Sequence, residues 1–210
     1  MIRELHFPTP IYILDIKDPN LNVQLEKDIL HWMNQDKGVT RTNVKGWHSP
    51  TNMHTKPEYA RLVNALHEAQ NKIYDEEHLD SEPFLGNMWA NINPPGGMNR
   101  AHIHPNSLWS GVYYVKASEN SGQLKIEDPR SVALMVRPRM KQGKPPRRLW
   151  REDNYEPKAG RLIMFPSWLN HCVDTNESND IRISVSFNFL SMCCSIFSIS
   201  NLNLADTKLN

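Results

Sequence analysis

The sequence predicts a mainly β fold with flanking α-helices in one domain, and three observations carry that expectation. From Phe84 onward, short apolar runs alternate with period two and are separated by Gly, Pro and Asn, as in strands joined by turns. Before Phe84, two stretches place their apolar residues at helical spacing. A chain of 210 residues, 39% hydrophobic and with a formal charge of +1, is long enough for one full core. No internal repeat or second domain is apparent. The expected organisation is an N-terminal strand and two supporting helices over 1–83, a β-rich core over 84–190 and a C-terminal extension over 191–210.

From Leu5 to Ile16, the apolar residues Phe7, Ile11, Ile13 and Leu14, punctuated by Pro8 and Pro10, predict an irregular strand covering a sheet edge. Asp18-Pro19 then supplies an N-cap and a proline at the first helical position. Leu21, Leu25, Ile29, Leu30 and Met33 continue at helical spacing up to Gly38. A polar loop with Trp47, His48 and His54 follows, placed where it could fold over a pocket. Thr55 and Pro57 signal a second helix, whose buried stripe is Leu62, Val63, Leu66, Ala69 and Ile73. His67 lies beside that stripe and reads as a structural or solvated histidine.

The core opens with the strand FLGNMWANIN, which puts Trp89, Asn91 and Asn93 on one face. After the turn PPGG comes His102-x-His104. Residues i and i+2 of an extended segment point the same way, so both imidazoles can address one metal ion. His-x-His alone is a weak signal, and a third ligand must come from elsewhere. His171, between the apolar run GRLIMFP and the strand IRISVSFNF, is the obvious donor. On that last strand Arg182, Ser184, Ser186 and Asn188 share one face, and Ile183, Val185, Phe187 and Phe189 the other. An arginine facing the same interior as three histidines is costly unless it meets an anion, and a guanidinium fork suits a carboxylate. In SGVYYV, Ser110, Val112 and Tyr114 share a face.

The order HIHPNSLWSGVYYV, then GQLKIEDPR, then GRLIMFPSWLNH, then Arg-x-Ser resembles the 2-oxoglutarate/Fe(II)-dependent oxygenases, and more narrowly a bacterial and phage family of them. The resemblance spans about Phe84 to Leu190. It implies a double-stranded β-helix, the jelly-roll or cupin-like core, and an oxidoreductase that hydroxylates a C–H bond with release of succinate and CO2. It further implies Fe(II) and 2-oxoglutarate as cofactors with O2 as cosubstrate. Iron would be held by His102, His104 and His171. Most members of the superfamily carry Asp or Glu where His104 stands, giving two histidines and one carboxylate; Asp128 is the nearest alternative. Arg182 with Ser184 would grip the distal carboxylate of 2-oxoglutarate, Tyr114 stands where related enzymes place a tyrosine on it, and Asn91 and Asn93 share that face. Two other classes fit three histidines: a non-catalytic metal-binding module of the same fold, and a zinc hydrolase using Asp128 or Glu127 as base.

Residues Arg137 to Arg151 carry seven cations and no acid. A solvated loop, a lid over an anionic substrate and a contact with nucleic-acid phosphates all fit such a run, although the near-neutral chain argues against non-specific DNA binding. No apolar run approaches the roughly 20 residues needed to span a bilayer, and the N-terminus lacks the layout of a signal peptide. Three cysteines, two of them adjacent as Cys193 and Cys194, do not form a disulfide framework and point to a reducing cytosol. The prime substrate and the oligomeric state are not encoded in any readable motif.

Overall fold

Period-two alternation sorts each long strand into an apolar and a polar face, and the fold buries both, one against helices and the other against a second sheet. The computed structural model describes residues 1–190 except 3, 5, 80–82, 131, 133, 134, 136–138, 140, 144 and 145, and the side chain of Arg148. The strands are β1 (Tyr12–Asp15), β2 (Asn43–Val44), β3 (Trp47–His48), β4 (Phe84–Asn93), β5 (Met98–His102), β6 (Trp109–Lys116), β7 (Leu124–Glu127), β8 (Glu152–Tyr155), β9 (Arg161–Pro166), β10 (His171–Val173) and β11 (Arg182–Leu190). The helices are α1 (Pro19–Gln35) and α2 (Ala60–Glu76). A six-stranded sheet in the order β1-β9-β6-β11-β4-β3 faces a five-stranded one in the order β2-β5-β10-β7-β8, every neighbouring pair antiparallel. This is the double-stranded β-helix with flanking helices.

Helix α1 begins as its sequence dictates: the Asp18 carboxylate accepts the Leu21 N–H at 3.1 Å, and Pro19 follows at the first helical position. It buries Leu21, Leu25, Ile29 and also Trp32, while Leu30 and Met33 pack only partly against the core. Trp32 sits there because the Trp47 ring meets it edge-on at 5.9 Å and the Lys56 ammonium lies 4.6 Å above it. Helix α2 starts later than Thr55 and Pro57 suggest. The Asn52 carbonyl takes both the N–H and the hydroxyl of Thr55, and two short 3₁₀ turns, Met53–Thr55 and Pro57–Tyr59, precede Ala60.

The polar side of each helix faces water, and the apolar side covers one face of the six-stranded sheet. Leu62, Leu66 and Ile73 of α2 meet Met88, Ala90 and Ile92 of β4 and Ile183, Val185, Phe187 and Phe189 of β11 in one core cluster. A smaller cluster, with Val112, Leu124, Ile126, Ile163 and Phe165, lies between the two sheets. Strand β1 pairs with β9 at the edge of the larger sheet, as the irregular N-terminal run predicts.

Gly111 of β6 shows how closely neighbouring strands of the larger sheet pack. A Cβ there would lie 2.3 Å from the Phe187 ring and 2.9 Å from the Ile163 carbonyl, neither of which can retreat from a buried sheet. Gly111→Ala is therefore expected to destabilise the fold by about 1–3 kcal/mol, the range of core overpacking. A lowered urea midpoint at unchanged slope is the check.

The tail from 191 lies outside the described residues, as do Cys193, Cys194 and much of the basic run. The described end of that run forms one 3₁₀ turn, Arg147–Leu149. No described helix is long and apolar enough to cross a membrane.

Candidate metal and cosubstrate site

His102 closes β5, His171 opens β10, and the two are direct cross-strand partners. That register puts their rings 4.3 Å apart. His104 lies just beyond the end of β5, where its N–H donates to the Ser167 carbonyl at 3.0 Å and its Nε2 comes within 3.3 Å of His171 Nε2. One ring nitrogen from each of the three histidines falls within 4.8 Å of the others. In two of them the second nitrogen is committed: His102 Nδ1 donates to the Arg100 carbonyl at 2.7 Å, and His171 Nδ1 to the Leu169 carbonyl at 2.9 Å. Such bonds fix the tautomer and leave Nε2 free to bind a metal.

Burial holds all three rings neutral. It pulls His104 down to about 4 and His171 down to about 3, with His102 adding a repulsive push to each, and it lowers His102 as well. Neutral imidazole is the form that ligates. It also sets a pH dependence: below the ordinary value of 6.5 the unfolded chain takes up protons that the folded metal-free chain refuses. Stability is thus full above pH 6.5 and is lost as pH falls towards 4. The metal-free protein is expected to melt roughly 5 °C or more lower at about pH 5 than at about pH 7, as scanning calorimetry would register.

The polar face of the larger sheet continues the site. Register places Tyr114, Ser184 and Asn91 in one row, Val112, Ser186 and Trp89 in the next, and Ser110, Asn188 and Asn87 in a third. All of these but Ser110 line, with the histidines, one cavity of about 330 Å³ that also holds Arg182. Arg182 is almost fully buried, 1% exposed, and its Nη1 donates to the Ser121 and Gly122 carbonyls. The Tyr114 hydroxyl is buried with no hydrogen-bond partner, and burial pushes it up to about 12, against the pull of the Arg182 charge. A buried cation beside an unspent hydroxyl is a cradle for a carboxylate. Asn91 also offers a buried, unpaired Oδ1, its Nδ2 being spent on Ser186 Oγ at 3.2 Å.

Asn93 lies apart from these. It shares the period of Trp89 and Asn91, yet its amide is turned onto Asn99 at 3.3 Å and packs over Gly46, so Asn99 lines the cavity in its stead. Asp128 is also elsewhere. Arg130 grips its carboxylate with two side-chain bonds of 2.9 and 2.8 Å and holds it below the usual carboxylate range, in a separate hollow lined also by Arg147 and Trp150. The described part of the basic run thus borders that hollow and not the histidine cavity.

His48 lines the cavity; the sequence put it, with His54, on a loop that could fold over a pocket. Its ring stacks on Trp89 at 5.5 Å and 8°, and Trp89 in turn touches His104, so an aromatic wall runs up to the histidine cluster. His54 does not line the cavity, and His67 meets the Phe189 ring edge-on at 5.4 Å. Asn188 is a further participant. Its amide stands 3.5 Å from His104 Nδ1 and is fixed by Ser110 at 2.7 Å and Asn87 at 2.7 Å.

Residues 87–188 match a family model described as "Putative 2OG-Fe(II) oxygenase". A search of curated protein sequences finds no match. Among solved structures, a Pseudomonas putida prolyl-4-hydroxylase is similar at TM-score 0.62 and 16% identity, over 87% of this chain and 92% of that one. A viral collagen prolyl hydroxylase from Paramecium Bursaria Chlorella virus-1, solved with 2-oxoglutarate, gives 0.57 and 14% over 85% and 94%. HygX from Streptomyces hygroscopicus, solved with nickel, 2-oxoglutarate and hygromycin B, gives 0.61 and 10% over 88% and 84%.

Proposed function

We propose, starting from this chain's membership of the 2-oxoglutarate/Fe(II) oxygenase family, that it hydroxylates a C–H bond of an organic substrate with release of succinate and CO2. One observation carries the assignment of roles: the buried Arg182 guanidinium and the unpartnered Tyr114 hydroxyl share a cavity with three convergent neutral histidines. A bare metal-binding module has no use for Arg182.

In this reading His102, His104 and His171 hold iron(II) through Nε2, kept in position by the backbone carbonyls behind His102 and His171. Arg182 and Tyr114, with Ser184 in the same row, grip the distal carboxylate of 2-oxoglutarate and so fix its register. When bound, iron and 2-oxoglutarate supply the activation of O2 and the transfer of one oxygen atom to carbon. Trp89 and Phe165 wall the cavity and exclude water from the reacting groups. The solved HygX complex, which holds a metal and 2-oxoglutarate together in the same fold, supports this pairing.

The zinc-hydrolase alternative needs a general base near the metal. Among the described residues no Asp or Glu lines the cavity; Asp128 is held by Arg130 and Glu127 by Asn170 at 2.7 Å. Cys172 is unpaired, and iron(II) chemistry is best served by a reducing compartment, which favours a cytosolic setting.

Anaerobic addition of 2-oxoglutarate to the iron(II)-loaded protein is expected to produce a visible charge-transfer band, and O2 is then expected to yield succinate. A protein that binds iron but gives neither result would be a metal-binding module.

A further inference from the structure

The charge balance of the cavity is lopsided. Arg41 and Arg182 line it, four neutral histidines line it, and among the described residues no carboxylate does. The nearby acids are spent elsewhere: Asp174 pairs with Lys125 at 3.1 Å and Asp180 with Lys116 at 3.2 Å. An all-histidine ligand set leaves both positive charges on iron(II), where a carboxylate would cancel one. Add one charge from each arginine, subtract the two negative charges of 2-oxoglutarate, and a twofold positive excess remains in a cavity walled by Trp89, Phe165 and Val112. Low-dielectric walls concentrate such a field on whatever enters.

Arg41 gives that field a direction. It stands on the loop before β2, exposed, and no carboxylate or other acceptor among the described residues holds its guanidinium. Its charge reaches His48, whose ring stacks on Trp89. The sequence Arg41, His48, Trp89, His104 therefore runs from the mouth to the histidine cluster. Arg182 offers no second anchor, since 2-oxoglutarate occupies it.

Building on the oxygenase reading, we propose that the molecule oxidised here is an organic anion, whose carboxylate or phosphate is held by Arg41 at the mouth while its reacting carbon lies along Trp89 towards the metal. Arg41 is then the specificity-determining residue. A guanidinium fork accepts either acid bidentately and penalises an ammonium in the same place.

The test is a calorimetric titration of the full chain, loaded anaerobically with iron(II) and saturating 2-oxoglutarate, with methylphosphonate, acetate, acetamide and ethylammonium. One of the two anions is expected to bind about tenfold or more tighter than acetamide and ethylammonium, the scale of one charge-assisted bond. A lead for methylphosphonate assigns a phosphate, a lead for acetate a carboxylate. Arg41→Gln should remove the advantage, and Arg41→Glu should turn it towards ethylammonium. Acetamide binding as well as the anions, or an anion preference that survives both Arg41 variants, would overturn the proposal. The visible band in the same samples reports the parent reading separately: a band without anion preference sinks this proposal alone, and Arg41-dependent anion binding without a band sinks the oxygenase reading while keeping the anion site.

Discussion

Replacing His171 with alanine is expected to abolish iron(II) retention. His171 is the most buried of the three histidines, 5% exposed, and pairs directly with His102 across β10 and β5, so no neighbouring side chain can move in to replace it. Loss of an outer-shell partner of a metal ligand already weakens binding by roughly 10–100-fold; loss of a ligand itself should exceed that. Iron per chain after anaerobic gel filtration is the measurement, and unchanged stoichiometry would sink the assignment. Two companions sharpen it. His104→Asp restores two histidines and one carboxylate and should keep iron, whereas Asp128→Asn, altering a group already held by Arg130, should leave iron binding untouched.

Arg182→Met should leave iron in place and weaken 2-oxoglutarate by about 1.5–3 kcal/mol or more, the scale of hydrogen bonds to a charged group. The resting guanidinium is only partly satisfied by the Ser121 and Gly122 carbonyls, which take Nη1 alone. An anion on its free edge recovers the cost of burying the charge. Arg182→Lys should restore only part of the affinity, because an ammonium is a point charge without a fork. Tyr114→Phe should show a smaller loss, since its hydroxyl has no other partner to release. Titration of the anaerobic visible band gives each Kd. If Arg182→Met binds 2-oxoglutarate as tightly as the parent, the cosubstrate site lies elsewhere.

Much of this was legible in the sequence because β11 is long and strictly alternating and β4 alternates from Asn87 onward. Their polar residues fall on one face whatever the register, so Arg182, Ser184 and Asn91 could be assigned together. Short elements carry no such signal. Strand β10 has three residues, and β2 and β3 two each, too few for periodicity to declare itself. The direct pairing of His171 with His102 was therefore out of reach, although both were named. Asn93 shows the reverse limit: its period is correct, but local packing over Gly46 decides where its amide goes. Trp32 went unread because its burial depends on Trp47 and Lys56, partners from outside its helix. Nothing in the sequence joins His48 to Trp89 either, since the stack forms only when β3 pairs with β4.

The order of strands in the larger sheet carries a consequence for how this protein is made. Strand β11 lies between β4 and β6, so the last described segment to leave the ribosome forms the centre of the sheet. Until it arrives, β4 and β6 have no shared neighbour, and the partner that aligns their polar rows is missing. Pairings this distant along the chain are slow to close. Nascent chains should accordingly stay open, and exposed to chaperones, until residues 182–190 emerge. Arg182 rides on that same segment. A half-made chain can thus bring His102 and His104 together early, but Arg182 joins their cavity only at the step that closes the core.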